Sequence, residues 1–400
     1  MSYDFSYPQY SGIWTLAAAL QAKKLGNWPF AFGPDPVVAG SLYSWGSDTQ
    51  GELGHSTYYV NLSGPVQVGE GTTWGNIAGG GGHTLATKTD GTLWSWGKNN
   101  NGQLGNGNAG NYERRSSPVQ VGALTTWREV ACGSKHSLAI KNNGTLWSWG
   151  CNFTGALGDG TTTYLSSPVQ VGALTTWLNI AAGGYHTLAT KNDGTLWSWG
   201  NNSYGELGIG LNSTNRSSPV QVGALTNWLK ISAGPEGGYF SIAIKTDGSL
   251  WAWGNGYYGT LGIGLNDTAR SSPVQVGALT NWSNIACGDA FVIATKTDGT
   301  LWSWGKNEHG QLGLGDAVYR SSPVQVGALT DWSSKIKCGL QHSLAIKTNR
   351  TLWSWGSSSQ GKLGLGAGYG NNRSSPVQVG ALTTWINLSP GYNHGLATAV

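Results

Sequence analysis

Histidines, cysteines and the basic residues are the side chains of this 400-residue chain best suited to chemistry, and most of them recur at fixed intervals. Five of the 7 His (His83, His136, His186, His342 and His394) share one repeat position, where Phe240 and Phe291 stand in two other units. A slot that accepts either ring is a packing slot, and copies held one repeat apart are too far from each other to share a metal ion. His55 and His309 occur singly. Of the 4 Cys, Cys132, Cys287 and Cys338 share a position where other units carry Ala182 or Ala233. They read as small buried fillers, and Cys151 has no evident partner. There is no C-x-x-C and no H-E-x-x-H, and Gly-Lys (Gly97, Gly305, Gly361) is never followed by Ser or Thr as a phosphate loop requires. No enzyme site, cofactor or metal is expected.

The cations form two further series. Arg115, Arg216, Arg270, Arg320 and Arg373 each lie just before Ser-Ser-Pro, and Lys88, Lys141, Lys191, Lys245, Lys296 and Lys347 each lie just before a hairpin turn. A ring of Arg could grip carboxylates or phosphates bidentately, which makes it the candidate recognition series. The alternative is that each Arg bonds the carbonyls of its own loop. With 23 Lys and Arg against 19 Asp and Glu, and no basic run, nucleic acid is not an expected partner.

Elements that position these residues follow from the repeat. W-x-W-G or a close variant ends at Gly46, Gly97, Gly150, Gly200, Gly254, Gly305 and Gly356. The spacing is nearly regular, and a period of roughly 50 residues marks a repeat architecture. PVQVG recurs in step with it, and only Trp14 and Trp28 of the 22 Trp lie outside the repeat. Residues 177–222 read as four short strands: WLNIAAG, HTLATK, TLWSWG and, after a long loop, SPVQV. Asn192-Asp193-Gly194 between the second and third signals a hairpin, expected as a type I′ turn. A four-stranded unit of this period is a β-propeller blade, and seven copies predict seven blades. The composition agrees. With 64 Gly and 10% charged residues the chain is a poor candidate for an all-helical protein. A content of 39% apolar residues with low net charge excludes disorder. No apolar run is long enough to cross a bilayer. Lys23 and Lys24 follow the short apolar run rather than precede it, so no signal peptide is expected.

The C-terminal unit stops after two strands, and the N-terminal one begins with its third at Ser41. Pairing the two closes the ring without an open edge. Segment length varies in two places only. One is between the W-x-W-G Gly and the next Pro. The other is between the first and second strands, where the stretches from Trp228 to Phe240 and from Trp332 to His342 are longer than their counterparts. Both connections emerge at the same end of an antiparallel blade. All length variation is therefore expected on one face, the recognition candidate, opposite a uniform face of hairpin turns.

HTLATKTDGTLWSWGKNNNGQLGNG resembles the repeat of the regulator of chromosome condensation family, and the resemblance covers residues 39–400. It implies a seven-bladed propeller. The family's nucleotide exchange on a small nuclear GTPase finds no counterpart here beyond a short insert at Gly234 to Gly238, and the family's basic N-terminal tail is missing.

Residues 1–38 belong to no repeat and form a separate arm before the propeller of residues 39–400. SGIWTLAAALQAKKLGNWP predicts a short amphipathic helix, too short to stand alone, with Ile13, Trp14, Leu16, Leu20 and Trp28 as anchor residues. The pattern G-[IV]-W-[ST]-L, then Gln and Lys, then W-P resembles a leader of tailed-bacteriophage structural proteins. That resemblance implies a non-enzymatic virion component (tail fibre, appendage or decoration), made in the host cytoplasm and carried on the particle. Its partners would be other virion proteins through the arm, within an oligomeric assembly, and a host surface protein or glycan. The competing reading is an intracellular protein-binding propeller, such as a GTPase exchange factor or an enzyme-inhibitor-like module.

Overall fold

The computed structural model describes residues 38–266, 268–366 and 370–400. They form seven four-stranded antiparallel sheets arranged as a β-propeller. The sheet at residues 177–221 shows how the sequence builds each blade. Its strands are Trp177–Ala182, His186–Lys191, Leu196–Gly200 and Arg216–Gln221, bonded in that order. The second and third pair from His186 opposite Gly200 to Thr190 opposite Leu196.

The hairpin between them forms at the expected place but not as a type I′ turn. Of its residues only Gly194 has positive φ, +76°. Gly194 N donates to Lys191 O at 3.0 Å, so a type I turn is followed by a left-handed residue. Asp193 selects it, since its Oδ1 accepts from Thr195 N and Thr195 Oγ1 at 2.9 and 2.6 Å. A Cβ on Gly194 would lie 2.0 Å from Thr226 O, so a side chain there must displace that carbonyl.

Blades 1 to 6 begin at Trp74, Trp127, Trp177, Trp228, Trp282 and Trp332. Blade 7 is shared: Trp385–Leu388 and His394–Ala399 come from the C-terminal end, Ser41–Gly46 and Leu62–Gln67 from the N-terminal end. Ser41 pairs with Ala399 and Gly46 with His394 in unbroken register, as closure requires. Gly40 bonds Trp74 O and Val400 bonds Thr384 O, so the chain enters and leaves blade 7 at the hairpin face.

The first strand of each blade lies innermost and touches the first strands of its neighbours. The core is divided into seams between blades. In one, Trp177 and Trp199 pack on Leu138, Ile140, Leu146 and Val171 of the preceding blade. Trp199 is fully buried and its indole N–H donates to Ala156 O, in the preceding blade's loop, at 2.9 Å. The second Trp of all seven W-x-W-G strings, counting the YSWG variant of blade 7, makes the same cross-seam bond, for example Trp45 to Lys362 O at 3.0 Å across the closure. Trp197, the first Trp of the string, is placed differently. It packs on the seam from the edge, half-buried, with its N–H satisfied locally by Thr195 Oγ1 at 2.9 Å.

Length variation departs from expectation in one blade. The extra residues between Trp228 and Phe240 do enter a loop on the variable face. The extra residue between Trp332 and His342 is instead absorbed inside the innermost strand, between Trp332 and Ile336, as a widened bulge near the hairpin end. The arm helix with Ile13, Trp14, Leu16, Leu20 and Trp28 lies outside the described residues.

Candidate recognition site

Each Arg of the candidate series opens the fourth, outermost strand of its blade, opposite the W-x-W-G glycine: Gly97 pairs with Arg115, Gly200 with Arg216, Gly254 with Arg270, Gly305 with Arg320 and Gly356 with Arg373. The five thus sit on separate blades around the outer rim of the variable face and are not brought together. Three of them bond their own loops. Arg115 reaches Arg114 O at 3.1 Å and pairs with Glu113 at 3.2 Å. Arg270 donates to Ala269 O at 3.2 Å, and Arg320 to Val318 O at 2.9 Å while pairing with Asp316 at 2.6 Å.

Inside this rim the variable face carries aromatic clusters that residue-type reasoning passed over. Arg114 lies over Tyr58 and Tyr59, 4.5 and 5.2 Å from the ring centres, and donates to Tyr59 Oη. Phe153 meets Tyr185 edge-on at 5.0 Å, Tyr204 stacks on Tyr239 at 5.4 Å, and Tyr258 meets Tyr319 at 5.3 Å. Tyr112 is 96% exposed and Tyr59 67%. Scattered Tyr content in the variable-length loops was the available signal.

At the centre of the same face the insert of blade 4 folds inward. Glu236 crosses the axis: its carboxylate accepts from Ser134 Oγ of blade 2 at 2.6 Å and from Tyr185 Oη of blade 3 at 2.5 Å. Glu236 N donates to Tyr392 Oη of blade 7 at 2.8 Å, and Ser134 Oγ also bonds Tyr392 Oη. Burial pushes the Glu236 carboxyl up, but the hydrogen bonds from Ser134 and Tyr185 outweigh it and hold the group below its ordinary range. The unusual Trp228-to-Phe240 gap was the sequence signal. The insert spans the axis as a plug rather than projecting as a wedge.

The uniform face is built differently. Lys191 Nζ lies 3.5 Å from the Trp197 ring centre and 5.0 Å from that of Trp177. Lys88, Lys141, Lys245, Lys296 and Lys347 repeat the arrangement, so this Lys series is held against paired indoles. Between these cages stand Leu124, Leu174, Leu225, Leu279, Leu329 and Leu382, each about half exposed.

The second-strand histidines lie in the seams. His83 and His186 bond the next blade's Ser137 and Ser241 at 3.0 and 2.9 Å. His136 and His394 bond Thr187 and Thr84, both at 3.3 Å. Burial pushes His83 and His186 down to about 3 and His136 and His394 to about 4, so all four are neutral near pH 7. Phe240 replaces His where the next blade offers Val292 in place of a hydroxyl. Burial pushes the Cys287 thiol up to about 12 and raises Cys132 and Cys338 as well. Among the described residues no three His, Cys, Asp or Glu gather to hold a metal, and no helix is long and apolar enough to cross a membrane.

Comparison with known proteins bears on both readings of the sequence. The chain is 34% identical over 331 residues to the Ultraviolet-B receptor UVR8 of Arabidopsis thaliana, covering 80% of this chain and 73% of that one. To the E3 ubiquitin-protein ligase HERC2 of Mus musculus it is 32% identical over 90% of its own length, but it spans only 6% of that protein. Prp20p from Saccharomyces cerevisiae has the same fold, with TM-score 0.79 at 22% identity, covering 91% of this chain and 92% of the yeast chain. The bacteriophage reading is thereby corrected. The relatives matched by sequence are proteins of a plant and an animal, and neither a virion function nor a virion location is supported. The short arm motif that suggested a phage leader is outweighed by homology spread over the propeller. Seven matches to the regulator of chromosome condensation (RCC1) repeat, at residues 39–87, 90–140, 143–190, 193–244, 247–295, 298–346 and 351–398, account for all seven blades, and the chain belongs to that family.

Proposed function

We propose that this protein is an intracellular protein-binding propeller that recognises a folded protein partner through its variable face and carries out no chemistry of its own. One observation carries the reading: exposed Tyr and Phe, from Tyr59 and Tyr112 to Phe153, Tyr257 and Tyr319, are concentrated on the face whose loops differ between blades. Rigid aromatic side chains with a polar tip give large contact area at small entropic cost, which is why they dominate protein-recognition surfaces. The scaffold under them is stiff, since each loop between a third and a fourth strand is anchored by a Trp bond across a seam. The rim Arg series, of which Arg115 and Arg320 are held by their own loops, would supply directional charge at the edge of the contact.

Binding rather than catalysis is supported by the state of the candidate catalytic groups, with four of the seam histidines neutral and bonded to a hydroxyl of the next blade and the inner-strand thiols pushed up by burial. Among relatives, a yeast structure shows RCC1 (Prp20) bound to Kap60, and Prp20p was studied for binding to Gsp1p and histones. These partners are those of the yeast protein. A GTPase-exchange version gains nothing from the Gly234–Gly238 insert, which is turned to the axis. HERC2's ligase description belongs to a protein of which this chain matches a small part.

The test is face-selective substitution in an interaction assay with tagged full-length protein in cells. Tyr59→Ala, Tyr112→Ala and Phe153→Ala should each lower recovery of the bound protein, by about tenfold where the residue is central. Leu225→Ser and Leu279→Ser on the uniform face should leave it unchanged. The opposite pattern would reject the reading.

A further inference from the structure

The innermost strands are the least repetitive strands of the propeller. Aligned on the buried position held by Val130, Ile180 and Ile336, the preceding residue is Asn in four blades and Glu129, Lys230 or Lys335 in the others. The following residue is Ala or Ser in six blades and Lys337 in the seventh. The level of the axis beyond the buried position is therefore lined by small side chains and one long cation.

Several of these residues close the edges of the inner strands. Asn76 Nδ2 donates to Arg128 O at 2.6 Å, Arg128 Nη2 to Leu178 O at 3.0 Å, and Glu129 Oε1 accepts from Ile180 N at 3.4 Å. Lys230 and Lys337 do none of this, and neither makes a hydrogen bond or ion pair among the described residues. Lys337 is water-exposed although its strand is the innermost and blades surround it. Its ammonium therefore stands in an open axial channel. Burial by the surrounding blades and the charges of Lys335 and Lys230 push it below the ordinary lysine range while Glu129 opposes them, as expected of side chains that face one axis from the inner strands. The Glu236 network closes the variable-face end of that space.

The charge inventory of the space is one-sided. Among the described residues, Arg128, Lys230 and Lys337 share this space with the carboxylate of Glu129, which Arg128 already approaches at 3.9 Å. Burial pushes Glu129 up to about 7, so near neutrality it offers less than a full negative charge. Two unpaired ammonium groups inside low-dielectric walls attract anions far more strongly than the same groups on an open surface.

We propose that the axial channel binds a small inorganic oxyanion of the phosphate or sulfate class, held by the ammonium groups of Lys337 and Lys230. The anion enters from the uniform face, since the plug blocks the other. The site depends on the widened bulge of blade 6, which supplies the Lys335-Ile336-Lys337 run. It is independent of any partner on the variable face.

Thermal unfolding of the full chain tests this with inorganic phosphate as the probe, at fixed ionic strength balanced by gluconate. An anion that binds only the folded protein raises the midpoint by mass action. The wild-type midpoint should rise with phosphate. Lys337→Met and Lys230→Met should each need about tenfold more phosphate or more for the same rise, because a charge-assisted contact is gone. Lys98→Met, on the variable face, should respond as wild type. Absence of a phosphate-specific rise in the wild type, or a full response in both channel variants, overturns the proposal. Should the variants fail to fold, crystals of the wild type grown with selenate give a second reading. An anomalous peak within hydrogen-bond reach of Lys337 Nζ is expected, and an axis without one overturns the site.

Discussion

Truncating the two tryptophans of one W-x-W-G string should expose unequal energies, although the string presents them as a matched pair. Trp199 is fully buried in the seam between blades 2 and 3, where it packs beside Trp177, Leu138 and Val171. Trp199→Ala removes a complete indole from a rigid seam, which costs about 3–5 kcal/mol through lost transfer energy and a cavity that cannot fully collapse. No further penalty for an orphaned acceptor is due, because Ala156 O also accepts from Thr187 Oγ1 at 2.9 Å. Trp197 is half-buried, and its N–H partner, Thr195 Oγ1, can turn to water. Its truncation removes part of one ring's burial and a Lys191 contact of about 1 kcal/mol, giving about 1–2 kcal/mol in all. Equilibrium urea denaturation followed by circular dichroism measures both, with the slope checked for two-state behaviour. Equal midpoint shifts for the two variants, or a larger one for Trp197→Ala, would refute the assignment of stability to the seams. A third variant checks the geometry from the other side. Gly158 has φ +73°, and a Cβ there would lie 2.6 Å from Trp199 Nε1, so Gly158→Ala should lower the midpoint too.

Further outcomes follow from the seams and from the closure. Burial raises Glu52 to about 7 and Glu206 to about 6. These acids have folded pKa values above their unfolded ones, so each disfavours folding as pH rises past about 4.5 and most fully above about 7. Glu52→Gln and Glu206→Gln should therefore raise the thermal midpoint at pH 8 and change it little at pH 4. Gln103 and Gln311 already fill the equivalent position in other blades. A lower midpoint at pH 8 would show that the carboxylates are stabilising. Phe240→His and Val292→Ser should each destabilise alone, while the double variant recreates the His-hydroxyl pair of other seams. A double-mutant cycle should give a favourable coupling of about 1 kcal/mol, and additivity would count against it. Removing residues 1–70 deletes two strands of blade 7 and should lower the melting temperature sharply, whereas removing 1–36 should not. Equal melting of the two truncations would contradict closure by both ends.

The repeat period, the hairpin signals and the split unit at the chain ends were enough to read the blades, their number and their closure from residue order alone. That follows from physics that is local or periodic: alternation sets the strands, Asp-Gly sets the turns, and a sheet with two apolar faces must be covered on both. The packing role of the second-strand histidines was legible for the same reason, since Phe240 and Phe291 in the same slot reveal its chemistry. What depends on contacts between distant units was not legible. A type I turn replaced the expected mirror-image one because Asp193 bonds Thr195, a competition among side-chain bonds that the dipeptide does not reveal. The extra residue of blade 6 could have entered a loop or a strand, and only the pairing of Ile336 with Ala345 decided that it widened a bulge and sent Lys337 into the axis. Glu236, Ser134, Tyr185 and Tyr392 are far apart in sequence and meet only because the ring closes. The aromatic variable face, the plug and the charged axis are properties of that closure, where seven similar units set dissimilar side chains against one another.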